Sequence, residues 1–147
     1  MEVQTVVKSA SVVGEHTTFA EALRAMDAGQ TNTLLVTDAH GKLAGEVTVV
    51  DLLSAIIPDT LNGDDVMSHF TDDDAIAAAV ELVRDVPVSE FMSRDFTTLR
   101  PDDNFIAVIA NAVAYQRARL PVVDHEDRPI GIISRQGLKR VLEQYLR

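Results

Sequence analysis

Two polar residues, Thr48 and Asp51, follow an apolar segment at a spacing that suits ligand binding. The residues around them predict that a helix begins after Thr48 and that Asp51 lies one turn along it. The free backbone N–H groups at a helix N-terminus attract phosphate, and a threonine hydroxyl adds a further donor. An acidic side chain beside them can accept hydrogen bonds from both hydroxyls of a ribose. The pair therefore predicts a nucleotide site, and the alternative is a capping box that serves only helix stability.

Basic residues that could meet phosphates are concentrated in the later part of the chain. The first 86 residues hold fifteen acidic and four basic residues, whereas the rest hold eight and nine. Arg117 and Arg119 precede a predicted strand, and Arg135 follows Ser134. Guanidinium groups suit bidentate recognition of phosphate. We expect these arginines and the Ser134 hydroxyl to take part in ligand binding; the alternative for the arginines is surface pairing with nearby aspartates.

An internal repeat relates the segment that holds Thr48 and Asp51 to the segment that holds Ser134 and the arginines. The sequence aligns with itself without a gap at an offset of 86 residues. The identical pairs include Phe19 and Phe105, Gln30 and Gln116, Leu34 and Leu120, Val36 and Val122, Asp38 and Asp124, and Gly45 and Gly131. At this offset Ser134 matches Thr48 and keeps a hydroxyl, but Gly137 replaces Asp51. We expect one nucleotide site that is shared between the copies, because the first copy keeps the ribose partner and the second holds the phosphate partners.

Each copy predicts the same order of elements, strand–helix–strand–strand–helix. In the first copy these are a strand near 11–13, a helix over 19–28, a hairpin of 33–37 and 43–47, and a helix after Thr48. In the second copy they are a strand near 96–99, a helix over 104–115, a hairpin of 119–123 and 129–133, and a helix after Ser134. The pattern predicts an α+β fold of two β-α-β-β-α repeats that pack as a pseudo-twofold pair.

A predominantly acidic segment separates the two copies. The predicted boundaries are 1–58 for the first repeat, 59–86 for a linker, and 87–147 for the second repeat. Asn62 and Gly63 predict a turn, and residues 71–84 predict an amphipathic helix. We expect Asp72, Asp73 and Asp74 to stabilise the first turn of that helix; the alternative for them is a divalent-metal site.

Composition argues against several classes of function. The chain contains no cysteine, which excludes disulfides, thiol catalysis and cysteine-ligated zinc. A net charge of −10 and an aromatic content of 5% argue against nucleic-acid binding. The sequence shows no membrane-spanning apolar run and no signal-peptide pattern, so we expect a cytoplasmic protein without membrane insertion. The histidines lack metal-ligand spacing and no nucleophile–base motif is present, so we expect neither catalysis nor a required cofactor.

The repeated segments resemble the cystathionine-beta-synthase (CBS) domain family, present as a tandem pair. Residues 88–102 resemble the sequence motif with which a domain of that family begins. Its hairpin is similar to residues 119–124, RLPVVD, together with 129–134, PIGIIS. In the first copy, residues 45–53, GEVTVVDLL, resemble the motif with which the domain of that family ends.

The resemblance implies a stand-alone regulatory module that binds AMP, ADP, ATP or S-adenosylmethionine in a cleft between its copies, as energy sensors do. We expect adenine to lie against strand residues that include Val12 and Leu35. The family also implies a homodimer formed through helices. A regulatory signal would pass to a separate, unknown partner protein. The alternative function is a degenerate pair that acts as a dimerisation or protein-interaction module without a ligand.

Overall fold

The computed structural model describes residues 3–57, 70, 72–115 and 119–146. Within them the helices are α1 (Phe19–Ala28), α2 (Val49–Ala55), α3 (Asp73–Val83), α4 (Phe105–Ala114) and α5 (Arg135–Glu143). The strands are β1 (Val12–Gly14), β2 (Thr33–Thr37), β3 (Leu43–Thr48), β4 (Leu120–Val123) and β5 (Pro129–Ile133). Short 3-10 turns lie at Val3–Thr5 and Val88–Glu90. The predicted α+β class is confirmed.

Polar capping residues determine where the helices begin. Thr18 accepts a hydrogen bond from Glu21 N at 3.2 Å, and its hydroxyl donates to the Glu21 carboxylate at 3.0 Å. Asn104 caps α4 through Ala107 N at 3.1 Å. Each cap satisfies a backbone N–H that has no partner within its own helix. The predicted start of α1 at Phe19 is therefore confirmed, and α4 begins one residue after the predicted position, with Asn104 as its N-cap.

The linker helix agrees with its prediction where the structure describes it. Asp72 is the N-cap of α3 and accepts from Ala75 N at 2.9 Å, and Asp73 and Asp74 lie in the first turn. Among the described residues no group of three histidine, aspartate or glutamate side chains could hold a metal ion. The predicted turn at Asn62 and Gly63, and the first residue of the predicted helix range, lie outside the described residues.

The two sheets differ in one strand. In the first repeat β1 pairs in parallel with β2, which pairs antiparallel with β3. In the second repeat β4 and β5 form a hairpin, but the strand predicted near 96–99 is wrong: Leu99 makes one isolated parallel bridge to Val122. Two prolines explain the difference, because proline has no N–H to donate. In the first repeat Leu35 donates to Ser11 O at 2.9 Å and Glu15 donates to Thr37 O at 3.0 Å, whereas the equivalent residues of the second repeat are Pro121 and Pro101.

Two matching turns close the hairpins. The Asp38 side chain accepts hydrogen bonds from His40 N and Lys42 N, at 2.8 and 3.1 Å. The equivalent Asp124 accepts from the backbone N–H groups two and four residues further on, at 2.8 and 3.0 Å. These backbone hydrogen bonds lower the pKa of both carboxyl groups, because they favour the charged form.

Each hydrophobic core is completed by the first residues of the other repeat. The first core holds Phe19, Ala22, Met26, Leu34, Val36, Val47 and Leu52, together with Val88 and Met92. The second core holds Leu99, Phe105, Val108, Leu120, Val122, Ile133 and Val141, together with Val3 and Val6. The segment from 88 to 93 therefore belongs to the first core, and the segment from 3 to 8 belongs to the second. We call this arrangement the segment exchange.

Matching backbone contacts hold the exchanged segments in place. Lys8 and Ile132 exchange N–H···O hydrogen bonds of 2.9 Å in both directions. Glu46 and Ser93 do the same at 3.0 and 2.9 Å. The neighbouring Gly131 lets the chain approach closely, because a Cβ there would collide with the carbonyl oxygen of Lys8. No helix in the described part of the chain has the length and apolar character needed to cross a membrane.

Candidate functional site

The main cavity of the candidate site lies where the start of α2 faces the second repeat. Its volume is about 430 Å³, within the range of roughly 300–1,000 Å³ for small-molecule sites. The first repeat contributes Asn32, Thr33, Glu46, Thr48, Val49 and Val50 to its walls. The second repeat contributes Arg119 and Arg135. Hydroxyl, amide and guanidinium groups thus converge on one space that neither repeat encloses alone.

A smaller cavity adjoins the main one. It has a volume of about 200 Å³ and shares the residues Asn32, Thr33 and Arg119 with the main cavity. Its other walls come from residues 8–11, from Gly29, Gln30 and Thr31 at the end of α1, and from Leu35 and Ile132. We refer to the two cavities together as the inter-repeat cleft.

A hydrogen bond between equivalent positions crosses this cleft. Arg119 donates from Nη1 to Oγ1 of Thr33, a residue 86 positions earlier in the chain. Thr33 is itself positioned by Thr31, whose hydroxyl donates to Thr33 O at 3.1 Å and accepts from Thr33 N at 3.2 Å. Because the two partners occupy the same place in their repeats, the pseudo-twofold axis passes close to this hydrogen bond.

Thr48 and Asp51 form a capping box. Asp51 N donates to the Thr48 hydroxyl at 3.2 Å, and the Asp51 carboxylate accepts from Thr48 N at 2.8 Å and from the Thr48 hydroxyl at 3.2 Å. Thr48 lines the main cavity. Asp51 instead lines a separate cavity of about 430 Å³, together with Val83 and Phe91. The two predicted residues are therefore in contact with each other, but they border different spaces.

The second repeat uses the equivalent positions differently. Ser134 caps α5 by accepting from Gly137 N at 3.3 Å, and it is buried. A Cβ on Gly137 would lie 3.0 Å from a methyl carbon of Ile133 and 3.2 Å from the backbone oxygen of Val6. The exchanged N-terminal segment thus fills the space that a carboxylate would need. The sequence showed the loss of the acidic residue, but it did not show this packing reason.

The structure places some of the remaining predicted residues in the cleft and others outside it. Arg119 and Arg135 line the main cavity, as Thr48 does, and Leu35 lines the smaller one. Val12 is 46% exposed on β1 and is not among the residues that line either cavity. Arg117 lies outside the described residues.

Three polar residues of the main cavity were not predicted from the sequence: Asn32, Thr33 and Glu46. Glu46 gave a local signal, since it is the one charged residue in the sequence of β3, LAGEVT. Asn32 and Thr33 gave none, because short polar residues before a strand are common in turns. Their place in the cleft results from the packing of the two repeats.

These features define a class of protein: a tandem pair of α+β repeats with a polar cleft between them. The family model described as the CBS domain matches residues 3–58 and 88–144. The chain belongs to the CBS domain family and carries two copies of the domain in tandem.

Solved structures share this fold. A CBS domain pair/ACT domain protein from Thermotoga maritima is 27% identical, with both chains covered in full and a TM-score of 0.70. The CBS domain pair of protein MJ0100, in complex with 5′-methylthioadenosine and S-adenosyl-L-methionine, is 20% identical, with 97% of this chain and 99% of that chain covered and a TM-score of 0.68. The cytosolic domain of the Mg²⁺ channel MgtE, in complex with ATP, is 24% identical over 95% of this chain and 48% of that chain, with a TM-score of 0.69. No curated protein matches the sequence.

Proposed function

We propose that the protein is a regulatory module that binds one adenosine-bearing ligand in the inter-repeat cleft and signals to a separate protein. The ligand would be AMP, ADP, ATP or S-adenosylmethionine. The observation that carries the proposal is that Arg119 and Arg135 of the second repeat line the same cavity as Thr48 of the first. The adenosine ligands of the MJ0100 pair and of the MgtE domain support it.

The cleft suggests how such a ligand would lie. Phosphates would be held in the main cavity, where two guanidinium groups can donate charge-assisted hydrogen bonds. The base would enter the smaller cavity, which Ala10 and Leu35 line together with polar residues such as Ser9. The ribose would lie between them. Asp51 remains the acceptor predicted from the sequence for its hydroxyls, and Arg117, Val12 and Ser134 remain predicted contacts.

The hydrogen bond between Arg119 and Thr33 offers a route from binding to signal. A phosphate in the main cavity would compete with the Thr33 hydroxyl for the Arg119 guanidinium group. Loss of that hydrogen bond would release one link between the repeats and change their relative orientation. A ligand shifts such an equilibrium only by the difference in its affinity for the two states.

A thermal-shift panel with AMP, ADP, ATP and S-adenosylmethionine tests the proposal, with GTP as the control. The protein is first freed of co-purified nucleotide. A ligand at a hundredfold its Kd stabilises the fold by about 2.7 kcal/mol. For a chain of this length the melting temperature should rise by roughly 5–10 °C. A rise with an adenine ligand and none with GTP is expected, and a flat panel would contradict ligand binding.

Exposed apolar side chains on α4 favour a second candidate function, dimerisation or protein interaction. Ile106, Ile109 and Val113 are 75%, 44% and 72% exposed at helical spacing on one face. Contiguous apolar surface of this kind marks interaction sites. We propose that a second copy of the chain covers this face. The dimer is compatible with ligand binding, and it would be the main function if the panel is flat.

A further inference from the structure

The exposed face of the first repeat is formed by α1 and α2. Leu23 and Asp27 lie one turn apart on α1, and together with Val49 of α2 they line a shallow groove of about 280 Å³. Leu53 lies one turn after Val49, and all four side chains are exposed. This surface, the α1–α2 face, therefore presents apolar side chains chiefly on α2 and a carboxylate on α1.

The second repeat presents the opposite distribution on its equivalent helices, α4 and α5. At the offset of 86 residues Val113 of α4 stands where the first repeat has Asp27, and Lys139 of α5 stands where it has Leu53. The sequence of α4, FIAVIANAVA, contains no charged residue. On this surface, the α4–α5 face, apolar and charged side chains have thus changed places between the two helices.

The charges of the two faces also differ in sign. The exposed charged residues of α1 are two acids and one base: Glu21, Asp27 and Arg24. Those of α5 are three bases and one acid: Arg135, Lys139, Arg140 and Glu143. Opposite charges steer two surfaces together and favour one orientation over another. The α1–α2 face is therefore complementary to the α4–α5 face and not to itself.

Two kinds of dimer can be built from these faces. In a parallel dimer each face meets its own copy. If α1 then lies on α1, acidic residues face each other, and if α1 lies on α2, a carboxylate is buried against apolar side chains. In an antiparallel dimer the α1–α2 face meets the α4–α5 face. Apolar α2 then covers apolar α4 while acidic α1 meets basic α5, so this arrangement satisfies both kinds of contact at once.

We propose that the protein forms the antiparallel dimer, in which the α1–α2 face of each copy covers the α4–α5 face of the other. A twofold axis makes this contact occur twice, so the assembly closes as a dimer and removes both apolar helices from water. The inference rests on the second copy proposed above and deepens that proposal, because it names the surface that covers α4. Val49 lines both the groove of its face and the main cavity, so the contact adjoins the inter-repeat cleft.

Cysteine cross-linking tests this orientation, because the chain has no cysteine of its own. Leu53→Cys and Ile109→Cys each place one thiol at an exposed apolar position, on α2 and on α4. The variants are made singly and also co-expressed, one of them with a size tag, and every sample is treated with a bifunctional maleimide. The co-expressed pair should give a mixed cross-linked dimer. Neither variant alone should exceed Leu82→Cys, the control on α3 outside both faces.

The outcomes separate this inference from the proposals on which it rests. Cross-linking of each variant with itself shows the parallel dimer and overturns the antiparallel one, and so does a dimeric wild type that gives no cross-link in any sample. In both cases the homodimer stands. A wild type that is monomeric in light scattering refutes the homodimer and this inference with it, while the test of nucleotide binding by thermal shift is unaffected.

Charge reversal gives a second measurement that needs no thiol. Lys139→Glu removes the excess of positive charge from α5 and should raise the Kd of the antiparallel dimer by about fivefold, because the contact occurs twice and an exposed ion pair contributes a factor of about two to five. Arg128→Glu, with the same change of charge on the second hairpin turn, should leave the Kd unchanged. In a parallel dimer Lys139→Glu would relieve repulsion between bases, so an unchanged or lowered Kd overturns the inference.

Discussion

Arg135 is the residue whose removal most directly tests the phosphate side of the cleft. It is exposed in the first turn of α5 and lines the main cavity. Because the Arg135 side chain is exposed, Arg135→Ala should leave the free energy of unfolding nearly unchanged. Its loss should weaken binding of ADP or ATP by about tenfold or more, since a charge-assisted hydrogen bond is lost. Titration calorimetry measures the change.

Arg128 provides the matched control for that experiment. Its guanidinium group pairs with Glu126 at 3.1 Å on the second hairpin turn, and both side chains are more than half exposed. An exposed pair of this kind contributes little to stability. Arg128→Ala should therefore bind nucleotide as wild type does. Equal losses in the two variants would show a general effect of charge and would contradict the assignment of Arg135.

At the scale of elements, Gly131 in β5 tests the segment exchange. A Cβ there would collide with Lys8 O and would lie 2.8 Å from a methyl carbon of Val7. Gly131→Ala should therefore lower the free energy of unfolding by roughly 1–3 kcal/mol, the cost of overpacking. Urea denaturation measures it. Gly14 is the control, because nothing lies within 4 Å of a Cβ there and Gly14→Ala should be nearly neutral.

The two hairpin turns predict a dependence of stability on pH. Backbone N–H donors, chiefly those of His40 and Arg128, hold the pKa values of Asp38 and Asp124 below their usual range. A lowered pKa in the folded state means that both groups stabilise the protein above the unfolded carboxyl pKa of about 3.9. This contribution is lost as the pH falls below that value and through the folded pKa.

Urea denaturation of wild type and Asp124→Asn at pH 7 and pH 3 checks this dependence. Wild type should be the more stable protein at pH 7, and the difference should narrow at pH 3, where the charge that the backbone donors stabilise is being lost. A difference that is the same at both pH values would show that the charge of Asp124 is not what stabilises the turn.

At the scale of the whole molecule, the exposed face of α4 predicts a homodimer. Ile106→Glu places a charge on that face, and it should convert the dimer to a monomer without unfolding it, because Ile106 is not part of the core. Light scattering on a sizing column measures the mass. Leu82 on α3 is the comparison, since it is 83% exposed on another face. A monomeric wild type, or dissociation by Leu82→Glu alone, would contradict the proposed face.

The parts of this molecule that the sequence predicted are those with local causes. Thr48, Asn104 and Ser134 stand at helix starts because their side chains accept hydrogen bonds from residues three positions later. The hairpins follow from alternating apolar residues between turn-formers. The missing strand around Leu99 also follows from residue type, because Pro101 and Pro121 have no N–H to donate where Glu15 and Leu35 do.

The parts that the sequence did not predict depend on contacts between distant segments. The segment exchange brings Val6 into contact with Gly137 and Met92 into contact with Gly45. No local sequence pattern predicts such contacts. The same is true of the cleft. The spacing of Thr48 and Asp51 predicts their mutual contact, but the cavity that each one borders depends on how the repeats pack.

The segment exchange also has a consequence for how the chain is made and folded. Synthesis runs from the N-terminus, so the first core cannot close until Met92 has been added, long after its own hairpin is complete. Val3 and Val6 are made before either hairpin and are buried only after the second hairpin has been added. The first core is complete once Met92 has been added, whereas the second also needs residues as late as Val141. Because each core contains residues of both repeats, the folded pair should unfold in one cooperative transition, and a protease cut between the repeats should leave two fragments that remain associated.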